Sequence, residues 1–399
     1  MRTRRPAGNL ARLFRSLGTL NLLTASFIAA SALLGTLKSA STSSAATSRL
    51  HVRYLAIPDP YMEIPAVYGN SLAWAGIGGD KQHPQPERLY LADLQHFHPR
   101  VVTRSKVGYF FIHIHVSPTW LSWMDQSPRG DWSIRAMNRH TGRIYLVDSA
   151  SRSGLPPHSL LFPMHWLSGD TVAWSRASCT KQPCIQGAGQ ENWTASIQLK
   201  RLPNGPITTV IATRAPCNET WPSLWGRVLV WQQEGVCNGH TGSDVLMFDR
   251  TTGRVRVLTT NHRGSEGTTN GRYVAWKDAA DRFWNGVIML MDLRTGQITV
   301  SSHRPLHEPG CPRVTGHDWD QCAAEPIMGG DVLTWLTRGG GMVVTSDLQT
   351  GQQYVLDDDA HGLVPNHIGQ SWGKRVVWEA GGAQKRIGFA RYIGVADVP

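Results

Sequence analysis

The order of apolar and polar residues divides the chain into seven copies of one pattern. In each copy an aliphatic residue, a small or branched residue and a tryptophan stand in a row, and a turn-forming residue precedes that tryptophan by five positions. The seven tryptophans are Trp74, Trp123, Trp174, Trp231, Trp276, Trp335 and Trp378, separated by 49, 51, 57, 45, 59 and 43 residues. Spacings of this size are typical of propeller blades and other repeat arrays.

Each of these tryptophans is predicted to lie on a β-strand that is buried on both faces. Side chains alternate along a strand, so the tryptophan shares its face with the aliphatic residue two positions earlier. The residue between them faces the other way and is small or branched in every copy: Ala73, Ser122, Ala173, Val230, Ala275, Thr334 and Val377. Two buried faces predict sheets that pack face to face.

The residue five positions before the tryptophan predicts a sharp turn out of a preceding strand. It is a glycine in six copies and a proline in the other: Gly69, Pro118, Gly169, Gly226, Gly271, Gly330 and Gly373. In three copies the preceding strand is predicted to begin with a proline, namely Pro65, Pro222 and Pro326.

A second hairpin follows in the later half of each unit. Four segments with an Asp or Asn four residues before a glycine stand between two apolar runs: Asn138 to Gly142, Asp249 to Gly253, Asp292 to Gly296 and Asp347 to Gly351. An Asp or Asn that starts a turn closing on glycine is hairpin chemistry, so these acids are interpreted as turn formers rather than catalytic groups. The most regular unit runs from Gly226 to Gly253, and its segment from Gln232 to Ser243 is interpreted as a polar loop.

Each unit therefore predicts a four-stranded antiparallel blade, and the chain an all-β propeller of seven blades. The last unit ends one strand short, and the apolar stretch from Leu50 to Ile57 is predicted to complete it. Closure by an N-terminal strand removes the exposed edges of an open sheet. Six blades remain the alternative if the irregular second unit is absorbed.

The repeat resembles the blades of TolB-like extracytoplasmic bacterial β-propellers. The likeness rests on Gly-x-x-Val/Leu-x-Trp followed by Asp-x-x-Thr-Gly, and covers roughly residues 62 to 393. It implies the fold and an envelope or surface location, but no activity, because such propellers include binding scaffolds, domains attached to hydrolases, and lyases.

Residues 1–48 are predicted to direct export, and residues 49–399 to form the propeller. The segment has the order of an export signal: basic residues, the uncharged stretch 17–37 and a Ser/Ala/Thr-rich linker. Because the uncharged stretch has 21 residues and can span a bilayer, an uncleaved membrane anchor is the alternative. The net charge is +11, but six cations lie before residue 49, which leaves +5 on the propeller. This small positive charge argues against nucleic-acid binding. Membrane contact is expected only through the N-terminal segment.

The six cysteines are predicted to form three disulfides between consecutive pairs. The pairs are Cys179 with Cys184, Cys217 with Cys237, and Cys311 with Cys322. An even count in an exported chain favours disulfides, and no Cys-x-x-Cys spacing indicates a metal site instead.

Histidines are the best candidates for binding a metal. His113 and His115 alternate on one predicted strand, and His96 and His98 lie just upstream. Two imidazoles at such spacing suit a divalent transition metal, and lyases with related propellers use a His-based centre. The alternative is an ordinary strand between blades with half-buried imidazoles, and no other cofactor is expected.

The candidate contact face consists of three irregular segments: Ser175 to Trp193, Gln232 to Ser243 and His303 to Glu325. The third is rich in histidine and acids, and its candidate binding residues are His303, His307, His317, Asp318, Trp319 and Asp320. The alternative is that these are only disulfide-pinned surface loops.

Without a catalytic motif, the leading hypothesis is a non-enzymatic scaffold that binds an envelope protein or a glycan. The alternative function is a metal-dependent polysaccharide lyase or hydrolase.

Overall fold

The computed structural model of the chain is a seven-bladed β-propeller. It describes residues 50–59, 64–76, 85–151, 163–179, 193–279, 286–302, 323–337, 342–357, 364–381 and 390–399. The described residues contain 28 strands and no helix, and the strands form seven four-stranded antiparallel sheets. The predicted fold and blade number are confirmed, and the six-bladed alternative is wrong.

The first three blades follow one another in chain order. Blade 1 consists of β2 (Ala66–Tyr68), β3 (Ser71–Gly76), β4 (Arg88–Asp93) and β5 (Arg100–Arg104). Blade 2 consists of β6 (Phe110–Val116), β7 (Trp120–Gln126), β8 (Trp132–Asn138) and β9 (Ile144–Ala150). Blade 3 consists of β10 (His165–Ser168), β11 (Thr171–Cys179), β12 (Trp193–Arg201) and β13 (Ile207–Arg214).

The next three blades have the same order of strands. Blade 4 consists of β14 (Cys217–Trp225), β15 (Val228–Cys237), β16 (His240–Asp249) and β17 (Arg254–Val257). Blade 5 consists of β18 (Gly264–Thr269), β19 (Tyr273–Ala279), β20 (Gly286–Asp292) and β21 (Ile298–Val300). Blade 6 consists of β22 (Ala323–Met328), β23 (Val332–Thr337), β24 (Met342–Asp347) and β25 (Gln353–Asp357).

Blade 7 joins the two ends of the propeller. Its first three strands are β26 (Val364–Ile368), β27 (Arg375–Gly381) and β28 (Ala390–Asp397), and its fourth is β1 (Val52–Ala56). β1 pairs with β28 along its whole length, from Val52 opposite Ala396 to Ala56 opposite Tyr392. The predicted closure by an N-terminal strand is therefore confirmed.

The predicted turns are also confirmed. All six glycines that precede the repeat tryptophans have left-handed backbones, with φ between +55° and +85°, a conformation that glycine adopts without a steric penalty. In the second hairpin, Asp249 Oδ1 accepts a hydrogen bond of 2.8 Å from the Thr251 N–H, and the Gly253 N–H donates to the Asp249 carbonyl. Asn138, Asp292 and Asp347 make the same turn. These side chains are turn formers, as the spacing indicated.

Two prolines occupy a different place from the one predicted. Pro222 and Pro326 lie inside β14 and β22 rather than at their first residues, and in both strands the pairing register shifts at that point. A β-bulge interrupts the hydrogen-bond ladder, so a proline can stand there without removing a needed donor. Pro65 does immediately precede its strand, β2.

The repeat tryptophans fill the interfaces between blades. None is more than 3% exposed. Trp231 of blade 4 packs with Ala173 and Ile197 of blade 3, and Trp276 of blade 5 packs with Val230 of blade 4. The small residue beside one tryptophan thus receives the indole of the next blade. Trp74 of blade 1 packs in the same way on Val377, Ile393 and Val395 of blade 7, which closes the ring with the same contact.

The first strand of each blade lines the centre of the ring, and aromatic residues gather at one end of it. Trp225, the last residue of β14, stacks on Trp372 of blade 7 with ring centroids 5.2 Å apart. Tyr68, the last residue of β2, packs against the same Trp372 at 3.9 Å. Blades 1, 4 and 7 therefore meet at the end of the channel where the inner strands finish.

Residues 1–48 and the predicted export signal or anchor lie outside the described residues and stay a prediction. Within the described part of the chain, no helix has the length and apolar character needed to cross a membrane.

We predict that Gly394→Ala lowers stability by about 1–3 kcal/mol, because overpacking a filled core costs this much. Gly394 lies directly opposite Trp378 in the β27–β28 ladder, and an added Cβ would lie 2.0 Å from Trp378 Cε2. Urea unfolding measures the change. In a Trp378→Leu background the same substitution should cost much less, since the clashing ring is gone. An equal cost in both backgrounds would contradict this packing.

Candidate functional site

Four inner strands carry a strained residue at equivalent positions. His113, Trp221, Glu266 and Glu325 have φ values between +51° and +54° and lie at the bulges of β6, β14, β18 and β22. Each stands ten residues before the tryptophan of its blade. A left-handed backbone is uncommon for residues other than glycine and tends to cluster at binding and catalytic sites. We call this set the channel mouth.

The channel mouth lies away from the aromatic end of the channel. Ser223 contacts Thr268, and Thr268 accepts a hydrogen bond from the Met328 N–H, so equivalent residues of neighbouring inner strands lie side by side. The inner strands therefore run in the same direction, with their last residues at the aromatic end. The bulges come earlier in each strand, closer to the opposite end.

A network of charged groups connects blades 4 to 7 at the channel mouth. Glu266 forms an ion pair of 2.6 Å with Lys277, whose side chain is only 4% exposed. The other oxygen of Glu266 accepts a 2.8 Å hydrogen bond from the Glu325 N–H, and the Glu325 carboxylate lies 3.1 Å from His367 Nδ1. The Glu266 N–H donates to the Gln232 side-chain oxygen. Both left-handed glutamates are thus held by direct contacts on more than one side.

Glu219 lies beneath this network in blade 4. It is 1% exposed and accepts hydrogen bonds from Trp231 Nε1 at 2.5 Å and Gln233 Nε2 at 2.7 Å. Burial raises the pKa of Glu219 from 4.5 to about 7, although these donors pull it down. The carboxyl group therefore titrates near neutral pH but is too deep to touch a ligand.

Trp221 is the exposed member of the channel mouth. Its side chain is 44% exposed, whereas the seven repeat tryptophans are buried. An exposed aromatic ring suits stacking against an apolar or sugar surface. Sequence reasoning missed these four positions because their residue types differ from blade to blade. Their constant spacing, ten residues before the tryptophan, is the signal that could have identified them.

The segment from Gln232 to Ser243, predicted as a polar loop, is instead a hairpin. β15 and β16 stay paired up to Cys237 opposite His240, with Asn238 and Gly239 as the two-residue turn. Asn-Gly with φ values of +51° and +84° is typical of a tight hairpin turn, so the sequence held this signal. The polar residues were misleading because Gln232 and Gln233 hydrogen-bond to the buried carboxylate network rather than to solvent.

One of the three predicted disulfides is present in the described residues. Cys217 and Cys237 are bonded with an S–S distance of 2.05 Å, which ties the start of the inner strand β14 to the tip of the hairpin. The other two pairs cannot be placed, because Cys184, Cys311, Cys322 and the Cys179 side chain lie outside the described atoms.

The four candidate metal-binding histidines are not gathered at one point. His96 and His98 are exposed between β4 and β5, whereas His113 and His115 lie on the inner strand β6. The structure adds a third imidazole there, since the ring centroids of His115 and His165 are 4.9 Å apart and those of His113 and His165 are 6.4 Å apart.

Burial keeps these three imidazoles neutral. It lowers the pKa of His113 to about 4 and of His115 to about 3, and it depresses the pKa of His165 as well. Gln370 lies close to His115, yet neither ring nitrogen of His115 has a partner at hydrogen-bond geometry. No three metal-ligating side chains in the described residues are arranged to hold one ion. A metal-binding role for His96, His98, His113 and His115 therefore stays a prediction.

The six candidate binding residues of the insert, His303, His307, His317, Asp318, Trp319 and Asp320, lie outside the described residues. Their role stays a prediction. The strands on either side of this insert, β21 and β22, are described, and Glu325 of the channel mouth is the third residue of β22.

Comparison with known proteins supports the fold and leaves the activity open. No protein-family model and no curated protein matches the chain. The β-propeller domain of the trilobed protease from Pyrococcus furiosus is 9% identical, with a TM-score of 0.58 over 86% of this chain and 95% of that one. An oligogalacturonate lyase in complex with manganese is 10% identical, with a TM-score of 0.53 over 88% and 97%.

TolB from Acinetobacter baumannii is also similar, at 11% identity and a TM-score of 0.42 over 88% of this chain and 97% of that one. The fold expected from the resemblance to TolB-like propellers is confirmed by the seven four-stranded blades and by the two matches above. The Pyrococcus domain is described as having an open velcro topology, whereas here β1 closes blade 7 on β28.

We predict that ionisation of Glu219 destabilises the protein as pH rises. Its pKa in the fold, about 7, lies above the ordinary 4.5, so the folded state prefers the protonated form. The penalty is absent below pH 4.5, grows between pH 4.5 and 7, and reaches about 3 kcal/mol above that range. Glu219→Gln should remove this loss.

Urea unfolding at pH 5 and pH 8 measures the effect. The gain of Glu219→Gln over the parent protein should be larger at pH 8. Glu234→Gln is the matched control, because Glu234 accepts hydrogen bonds from Asn218 and Gln232 but is more exposed. A stability difference between Glu219→Gln and the parent that does not change with pH would refute the assignment.

Proposed function

We propose that the protein is a non-enzymatic binding propeller that holds an envelope protein or a glycan at the channel mouth. The observation that carries this proposal is Trp221, an exposed aromatic residue held in a left-handed backbone at the position equivalent to Glu266 of the next blade. A left-handed backbone at a bulky residue costs stability, which a binding role of the side chain would explain. Exposed tryptophans are typical of binding hot spots.

The state of the carboxylates supports binding over catalysis. Glu266 is paired with a buried lysine, and Glu325 is paired with His367. A general acid or base must present a free oxygen to the substrate, whereas the two oxygens of Glu266 are occupied by Lys277 and the Glu325 N–H. Glu219 has a raised pKa but is buried. These groups suit a fixed polar surface around an aromatic centre.

The disulfide supports an extracytoplasmic site of action. Cys217–Cys237 closes a loop on blade 4, and such bonds persist mainly in oxidising compartments. Together with residues 1–48, this supports a protein that is exported or tethered to the membrane by its N-terminal segment. The channel mouth would then meet partners at the cell surface or in the envelope.

We predict that Trp221→Ala weakens binding of the partner by ~10-fold or more without unfolding the protein, because an exposed anchor contributes to the interface rather than the core. The partner is first identified by a glycan array and by chemical cross-linking to envelope proteins, with the full chain as the probe. Affinity is then measured by surface plasmon resonance for the parent and variant. Val257→Ala, an exposed substitution on an outer strand, is the control and should bind like the parent.

Two results would overturn the proposal. One is unchanged affinity of Trp221→Ala for every partner found. The other is a stoichiometric transition metal in the purified protein together with cleavage of a polysaccharide, which would establish the metal-dependent lyase or hydrolase instead.

A further inference from the structure

A separate cavity lies between blades 1 and 2, on the outer part of the ring. Its volume is about 370 Å³. The end of β5 and the segment that leads from it to Tyr109 form one side, and β7 and β8 of blade 2 form the other. This size is at the lower end of the range for pockets that bind small molecules.

At two other blade interfaces an aspartate occupies this position. β9 and β25, the outer strands of blades 2 and 6, each carry a bulge, and the next residues are Asp148 and Asp357. Asp148 Oδ2 accepts a hydrogen bond of 2.9 Å from Nε1 of Trp174 in blade 3. Asp357 Oδ2 accepts the same bond, also of 2.9 Å, from Trp378 in blade 7. The outer strand thus supplies a carboxylate to the tryptophan of the following blade.

Blade 1 lacks this carboxylate. β5 has the same bulge, but the residue after it is Thr103. Trp123 of blade 2 donates its indole N–H to Asp125 of its own strand instead, at 3.3 Å. Thr103 and Trp123 both line the cavity, so the cavity lies where the other two interfaces hold an aspartate.

The cavity is also rich in cationic donors. Arg104 and Lys106 line it, and neither forms an ion pair with another described residue. Arg135 uses Nε to bind Asp125 and has no described partner for its two terminal nitrogens. Asp125 is already neutralised by that bond and accepts further hydrogen bonds from Ser133 and Trp123.

The other acid in the cavity is occupied too. The two oxygens of Asp131 accept hydrogen bonds from the hydroxyls of Ser127 and Ser151. The unused hydrogen-bonding groups are therefore mostly cationic donors. Tyr109 and Trp132 add aromatic surface to the wall.

We propose that this cavity binds a compact ring compound that carries a carboxylate, with the size of one acidic sugar. The ligand carboxylate takes the place of the aspartate found at the other two interfaces, where the guanidinium of Arg104 and the ammonium of Lys106 can neutralise it. The ring packs against Tyr109 and Trp132. Arginine suits this role because its planar fork binds a carboxylate through two hydrogen bonds.

The test measures binding of glucuronate, with glucose as the uncharged control, by ligand-observed NMR and by thermal shift of the full chain. Glucuronate should bind saturably and glucose should not. Arg104→Gln should weaken glucuronate binding ~10-fold, because a charged hydrogen-bond donor is lost. Arg100→Gln is the matched control, since Arg100 lies on the same strand but does not line the cavity, and it should bind like the parent.

The variant Thr103→Asp gives a converse test. It restores the carboxylate found in blades 2 and 6, so it should abolish glucuronate binding while the free protein melts no lower than the parent. The proposal is overturned if glucuronate does not bind saturably, if glucose binds equally well, or if Arg104→Gln binds glucuronate like the parent. Arg104→Gln decides the outcome even if Thr103→Asp does not fold.

Discussion

The fold depends on one contact, the packing of an indole from each blade onto a small side chain of the blade before it. Blades of four strands bury too little surface to be stable alone, so each face must be covered by a neighbour. Trp231 on Ala173 and Trp276 on Val230 show how one strand serves two interfaces at once. Because Trp74 makes this contact with blade 7, the contact is satisfied only when the ring closes. β1 then completes the sheet that closure requires.

Because the second strands hold the blades together, the inner strands can carry functional residues. The indoles that pack between blades belong to the second strand of each blade, so the bulge residues of the first strand are not needed for that packing. Their types accordingly differ from blade to blade, with histidine, tryptophan and glutamate at equivalent places. What these positions share is the strained backbone. The free-energy cost of that strain is offset by hydrogen bonds such as the one from the Glu325 N–H to Glu266. A rigid repeat can therefore present a different side chain at each position around one channel.

The sequence predicts the parts of the molecule that repeat. Tryptophan, glycine and the Asp-x-x-Thr-Gly turn recur because every blade needs the same packing and the same changes of direction, so blade number and closure followed from them. The channel mouth was missed because a repeat signal averages away the residues that differ. The Gln232 to Ser243 hairpin was misread since Gln233 donates to the buried carboxylate of Glu219 and Gln232 accepts from the Glu266 N–H, contacts that are visible only in three dimensions. His165 escaped notice because it meets His115 from another blade.

Departures from the repeat are informative for the same reason. Where seven interfaces solve one packing problem, each interface is a reference for the others, and a missing group can be recognised by what its equivalents do. Thr103 is unremarkable by itself, but Asp148 and Asp357 show that a carboxylate satisfies the indole N–H at this position. Arg104 and Lys106 line the cavity beside Thr103, so cationic donors stand where those two interfaces place an internal anion. The indole N–H of Trp123 is satisfied from its own strand by Asp125, so this interface does not need a carboxylate from β5, and the end of β5 can present Arg104 and Lys106 to an external anion instead.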